Sequence, residues 1–170
     1  MTKYVALLRA VNVGGNGKLP MSELKAMCVD AGFAKVQTYI ASGNVLFESQ
    51  ASPNEVKSDL AARLHAFART PVGVVLRTAT EMAEVLKENP FPDAPRDKTV
   101  AIFLDEPPPA DALNQALRVK DEEMRLGTRE IYVHYGAGIG TSKLQIPAAQ
   151  AGTARNLNTV AKLVEIASKL

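Results

Sequence analysis

The chain is poor in the residues that most often announce a function. It has one cysteine, Cys28, two histidines, His65 and His134, and no tryptophan; aromatics make up 5% of its 170 residues. A single cysteine forbids an internal disulfide, which fits a reducing cytoplasm. Two separated histidines and one cysteine provide none of the ligand spacings of a metal centre, so neither a metal nor another cofactor is expected. Sparse aromatics, and the lack of a K/R-G-F/Y-G/A-F-V-x-F/Y strand, argue against a sheet surface that stacks RNA bases. The net charge of +2 is too small to name nucleic acid as a partner on bulk charge. The opening "YVALL" follows a single lysine and is broken by Arg9, which does not fit a signal peptide. No apolar run approaches the roughly 18 residues of a membrane span. These absences point to a cytoplasmic protein with no membrane partner.

What is present is a core. With 46% hydrophobic residues, a chain of this length buries roughly 70% of its unfolded surface and needs no covalent staple. "YVALLRAV" (4–11) reads as a buried strand. Leu24, Met27, Cys28 and Ala31 recur at helical spacing after Pro20, and Gly32 ends that helix. "VQTYI" and "VLFES" are short strands around "ASGN" (41–44), good turn chemistry. Ser52, Pro53 and Glu55 form a capping box for a helix whose inner face is Val56, Leu60, Leu64 and Phe67, and "VGVVLR" (72–77) is a further strand. The order is β-α-β-β-α-β.

The second half repeats this pattern less tidily, as β-α-β-β-α after a leading helix. Thr78 and Glu81 cap a helix, "NPFPDAP" is a loop, and "TVAIFL" (99–104) is a strand. "EPPPA" starts a short helix with Leu113 and Leu117 inward, "EEMRL" and "EIYVHY" pair around Gly127-Thr128, and 153–170 is read as one helix. The expectation is an α+β protein of two ferredoxin-like (α/β plait) subdomains, 1–78 and 79–170, with antiparallel sheets and helices packed on one face.

Four stretches, "YVALLRAVNVGGNGKLPMSEL", "TYIASGNVLF", "YVHYGAGIGTSKL" and "TARNLNTVAKL", occur in an order that resembles the bacterial family catalogued as domain of unknown function 1697. The likeness runs over nearly the whole chain. It implies the same pair of ferredoxin-like subdomains and carries no activity, substrate or catalytic residue. The chain departs from the family's pattern at Ala10, where glycine is usual, and at Leu157, where tryptophan is usual. The second departure counts against an aromatic near "RN" stacking on a ligand base.

The candidate chemistry sits in polar loops. After Arg9 and Asn12 come Gly14, Gly15 and Gly17, then Lys18. Such glycines let backbone N–H groups turn toward one anion, and a helix start at Met21 adds partial positive charge. The spacing is neither G-x-x-x-x-G-K-[ST] nor G-x-G-x-x-G. "ASGN" offers Ser42 and Asn44, and "GIGTSKL" offers Lys143. "TARN" places Arg155 and Asn156 in the first turn of the last helix, where a cation opposes the helix dipole. His134 shares a strand face with Tyr132 and is the best placed general acid or base. Against each functional reading stands a plain one: a mobile connection, a self-bonded turn, a surface ion pair, a half-exposed sheet face. Together, Arg9, Asn12, Gly14, Gly15, Lys18, Ser42, Asn44, Lys143, Arg155 and Asn156 suggest a small, phosphate-bearing ligand in a cleft between the halves. The alternatives are a nucleic-acid or protein interaction module, or an enzyme of phosphate-ester or nucleotide chemistry.

Overall fold

A computed structural model describes residues 1–9, 19–40 and 43–170. β1 (Thr2–Leu8), α1 (Met21–Asp30), β2 (Ala34–Tyr39), β3 (Asn44–Ser49), α2 (Pro53–Ala68) and β4 (Val74–Thr78) follow one another. Their strands form a sheet in the order β2-β3-β1-β4, with every neighbouring pair antiparallel. After α3 (Ala79–Lys87) come β5 (Thr99–Phe103), β6 (Glu123–Leu126), β7 (Glu130–His134), β8 (Thr153–Asn156) and α4 (Leu157–Ser168). The second sheet repeats the order as β6-β7-β5-β8, again antiparallel throughout. The class is α+β, with two four-stranded sheets in a ferredoxin-like arrangement. The chain divides into two compact units, Met1–Met82 with Leu163–Leu170, and Ala83–Lys162.

In the first unit, side chains of alternate parity leave β1 on opposite faces. Tyr4, Ala6 and Leu8 join Val45, Phe47 and Leu76 in a core with Leu24 and Cys28 of α1 and Val56, Leu60 and Leu64 of α2. Val5, Leu7, Leu46 and Val75, of the other parity, are buried as well. Dryness on both faces explains why β1 reads as a continuous apolar run instead of an alternating one. Phe33 stacks on Phe47 with ring centroids 4.3 Å apart. Tyr4 carries its hydroxyl out of the core to donate to the Ala51 carbonyl at 2.8 Å.

The local signals act as their chemistry requires. The Ser52 hydroxyl accepts from the Glu55 N–H at 3.3 Å and opens α2. Thr78 and Glu81 close a reciprocal box, Thr78 N–H donating to Glu81 Oε1 at 2.8 Å and Glu81 N–H to Thr78 Oγ1 at 3.1 Å. Gly32 ends α1 at a φ of +89°, and the next N–H, of Phe33, returns to the Cys28 carbonyl at 3.1 Å.

Three expectations are corrected. Phe67 is 44% exposed, because it lies in the last turn of α2, beyond the part that covers the sheet. After "EPPPA" there is only a 3-10 turn, Ala112–Gln115, with Leu113 half-buried and Leu117 55% exposed. Three consecutive prolines supply no N–H donors to extend a helix, and Leu117 instead forms a two-way backbone bridge with Gln145. Finally, "TARN" is β8, paired with β5 through Ala101↔Arg155 and Phe103↔Thr153, and α4 starts at Leu157. The free edge of β5 recruits these residues as a strand, a tertiary demand that overrides local helix preference.

Leu60 and Leu163 are fully buried, so Leu60→Ala and Leu163→Ala are each expected to lower unfolding free energy by about 2–5 kcal/mol. Phe67→Ala is expected to stay within about 0.5 kcal/mol of the parent. Urea denaturation of the three variants checks both; an equal loss at Phe67 would place that ring in the core after all.

Candidate functional site

The exit of β1 brings Gly43 and Gly73 beside Leu8 and Arg9. Leu7 stands opposite Asn44 on β3, and Leu8 opposite Val74 on β4. Just beyond, Leu8 N–H donates to the Gly43 carbonyl at 2.8 Å and Arg9 N–H donates to the Gly73 carbonyl at 2.9 Å. Arg9 is exposed. A Cβ on Gly73 would lie 3.1 Å from the Arg9 Cβ, so the missing side chain there gives the arginine stem its path. Gly43, the start of β4 and Arg9 therefore share one end of the first sheet. Leu19, buried, returns the chain to the core before α1. Asn12, Gly14, Gly15, Lys18 and Ser42 lie outside the described residues. Asn44 is fully buried and its Nδ2 donates to the Tyr39 carbonyl at 2.9 Å, bracing the turn from inside.

The remaining candidates belong to the second unit. Lys143 is exposed between two 3-10 turns, Ile139–Thr141 and Pro147–Ala149. Asn156 accepts from the Thr159 N–H through Oδ1 at 2.9 Å and so caps α4. Arg155 is on β8, 8% exposed, and the conflict with a helix dipole does not arise. Its Nη1 donates to Thr153 Oγ1 and to the Ala154 carbonyl, both at 2.9 Å. Burial pushes its guanidinium down to about 10, still protonated at neutral pH.

Sequence reasoning missed a second buried arginine, Arg77, 1% exposed on β4, whose Nη1 donates to the Leu76 carbonyl at 3.1 Å. Its signal was an arginine closing the apolar run "VGVVLR". Arg77 stands opposite Val5 and Arg155 opposite Ala101, so each unit carries its arginine on the fourth strand, beside the middle of the first.

His134 ends β7 half-buried, directly opposite Thr99. Thr99 Oγ1 donates its one proton to the Pro95 carbonyl at 3.0 Å. It is therefore left to accept from His134 Nδ1, 3.2 Å away. In the neutral ring this fixes the proton on Nδ1 and leaves the lone pair on Nε2, the form a general base requires. Tyr132, on the same strand face, is buried and donates to the Val85 carbonyl at 2.7 Å; burial and Glu130 raise its phenol well above the usual range. Cys28 is buried in the first core, and loss of solvent drives its thiol up to about 12, which makes it inert filler. Among the described residues no group of three or more His, Cys, Asp or Glu is placed to hold a metal ion. Nor is any described helix long and apolar enough to cross a membrane.

The model of the family described as "Protein of unknown function (DUF1697)" matches residues 1–132. A solved structure, that of the conserved bacterial protein SP0830 from Streptococcus pneumoniae, is similar with a TM-score of 0.81 and 25% sequence identity over 99% of each chain. No curated protein matches this chain.

The tautomer of His134 is open to direct measurement. Nitrogen-15 shifts of the neutral imidazole are expected to show Nδ1 carrying the proton. Thr99→Val removes the acceptor and is expected to return the ring toward the Nε2–H form. A ring already in the Nε2–H form in the parent protein contradicts the assignment.

Proposed function

The chain belongs to the DUF1697 family, and from that premise we propose that it binds a small, phosphate-bearing anion at the exit of β1. The ligand is held by Arg9, Lys18 and the backbone amides of Gly14 and Gly15. One observation carries this reading: the paired backbone bonds of Leu8 to Gly43 and of Arg9 to Gly73, which bring Gly43 and Gly73 to the exposed Arg9 where the glycine-rich stretch begins. A guanidinium pairs two of its N–H groups with a phosphate in one plane. Successive glycine amides add donors without a charge to desolvate. Asn44, Arg155 and Asn156 have structural employment and are not needed in this site. The lone cysteine supports a cytoplasmic location.

Calorimetric titration with inorganic pyrophosphate and with AMP tests the proposal. At least one is expected to bind, and the Arg9→Ala/Lys18→Ala double variant is expected to lose at least tenfold in affinity while keeping its circular dichroism spectrum. Equal affinity in the double variant, or no binding of either probe by the parent, overturns it. A pocket for one anion is expected to lose little between 50 and 200 mM salt (a range over which roughly 10³-fold or greater losses mark proteins making many phosphate contacts). A loss of that size would favour a nucleic-acid surface instead.

A further inference from the structure

The two units share a strand order but differ in what covers one face of the sheet. In the first, α1 connects β1 to β2 and α2 connects β3 to β4, and both pack on the sheet. In the second, the connections at the same places in the topology carry no α-helix. Residues 104–122 contain only the turn Ala112–Gln115, and residues 135–152 only the turns Ile139–Thr141 and Pro147–Ala149. The sheet face bearing Ile102, Ile131 and Val133 is covered instead by loop side chains, among them Leu104, Leu144 and Ile146. That cover is incomplete. Ile102, in the central strand, stays half-buried, and over it opens a cleft of about 350 Å³ lined also by Tyr135, Leu144, Gln145, Ala149 and Gln150.

We propose that this cleft binds a small, neutral, planar ligand with amide-type donors and acceptors, of the nucleobase class. Aliphatic side chains form its floor and part of its walls, and the polar side chains among its lining residues are one phenol and two carboxamides. Carboxamides offer the donor-and-acceptor pair that the edge of a base presents. Among the described residues none that lines it carries a charge, so an ionic ligand would lose its hydration without repayment. The volume lies at the small end of ligand pockets, roughly 300–1,000 Å³, which suits one ring system without a long substituent.

The walls are also fixed in place, as a preformed site requires. Glu122, itself buried, accepts from the Ser142 hydroxyl, and Ser142 Oγ in turn accepts from the Leu144 N–H at 3.2 Å. The second carboxylate oxygen of Glu122 accepts from the Lys120 N–H at 2.7 Å. Gln145 is locked to Leu117 by two backbone bonds of 2.7 and 3.0 Å. At the far end of the loop, a Cβ on Gly152 would fall 2.8 Å from the Phe103 carbonyl oxygen and 2.9 Å from Ile102 Cγ2. Only glycine lets the chain press down beside the cleft floor. The Tyr135 phenol, which burial and the nearby Glu122 raise further above its ordinary value, is a hydrogen-bond donor at neutral pH as any tyrosine is.

The site is independent of the phosphate reading, and its test separates the two. Full-length nitrogen-15-labelled protein is titrated with adenine and with uracil, which carry no phosphate. Saturable shifts are expected at the backbone amides of Gln145, Ile146 and Gln150 for at least one base. Ala149→Phe, which fills the cleft, and Gln145→Ala, which removes an exposed amide without touching the core, are each expected to weaken binding at least tenfold. The proposal fails if neither base gives saturable shifts, or if both cleft variants bind as the parent does.

Discussion

Each sheet is organised by a central strand that is hydrogen-bonded on both edges, and in the first sheet that strand is also dry on both faces. For β1 this means that Tyr4, Ala6 and Leu8 serve one core while Val5 and Leu7 are buried on the other side. A shift of one residue would exchange the two sets and move bulky Tyr4 and Leu8 out of the core that α1 and α2 close. With the register held from both edges, the ends of the strands are held too. That is why the carbonyls of Gly43 and Gly73 arrive at consecutive N–H groups, those of Leu8 and Arg9.

The internal repeat reaches beyond topology to a side-chain device. Arg77 and Arg155 both stand on the last strand of their sheet, both are buried, and both turn a guanidinium N–H back onto the carbonyl of the preceding residue. Removing a full charge from water costs several kcal/mol per ion unless hydrogen bonds replace the hydration. Arg155 accordingly engages Thr153 as well as its own backbone. What the repeat has not preserved is the helical layer. Unit one spends 26 residues on α1 and α2 (10 and 16), where unit two uses loops tied by Glu122, Ser142 and the Leu117–Gln145 bridge. Loops can expose backbone groups that a helix would use internally.

Much of this architecture was legible in the sequence because its signals are local. The capping residues Ser52, Thr78 and Glu81, the helix stop at Gly32 and the apolar runs of β1 and β5 each act through neighbours in the chain. The errors were non-local. "TARN" followed by "LNTVAKL" looks helical in isolation, and only the open edge of β5 makes it a strand. Phe67 keeps the helical period of Leu60 and Leu64 but overruns the sheet beneath them. Leu117 reads as a core residue of a helix that its prolines do not support. Of the candidate residues, Arg9 and Asn44 could be joined only through strand register, which a single sequence does not display. The burial of Arg77 and Arg155 follows from the packing of a whole sheet, and no short motif encodes it.

The burial of Cys28 has a practical side. The protein has no other sulfhydryl, and this one sits among Leu24, Phe33 and Leu60, fully shielded and strongly resistant to ionisation. Toward maleimides and other thiol-directed reagents the folded molecule therefore behaves as a blank. A cysteine engineered at any surface position would be its sole attachment point for a fluorophore or spin label, with no need to alter the native residue first.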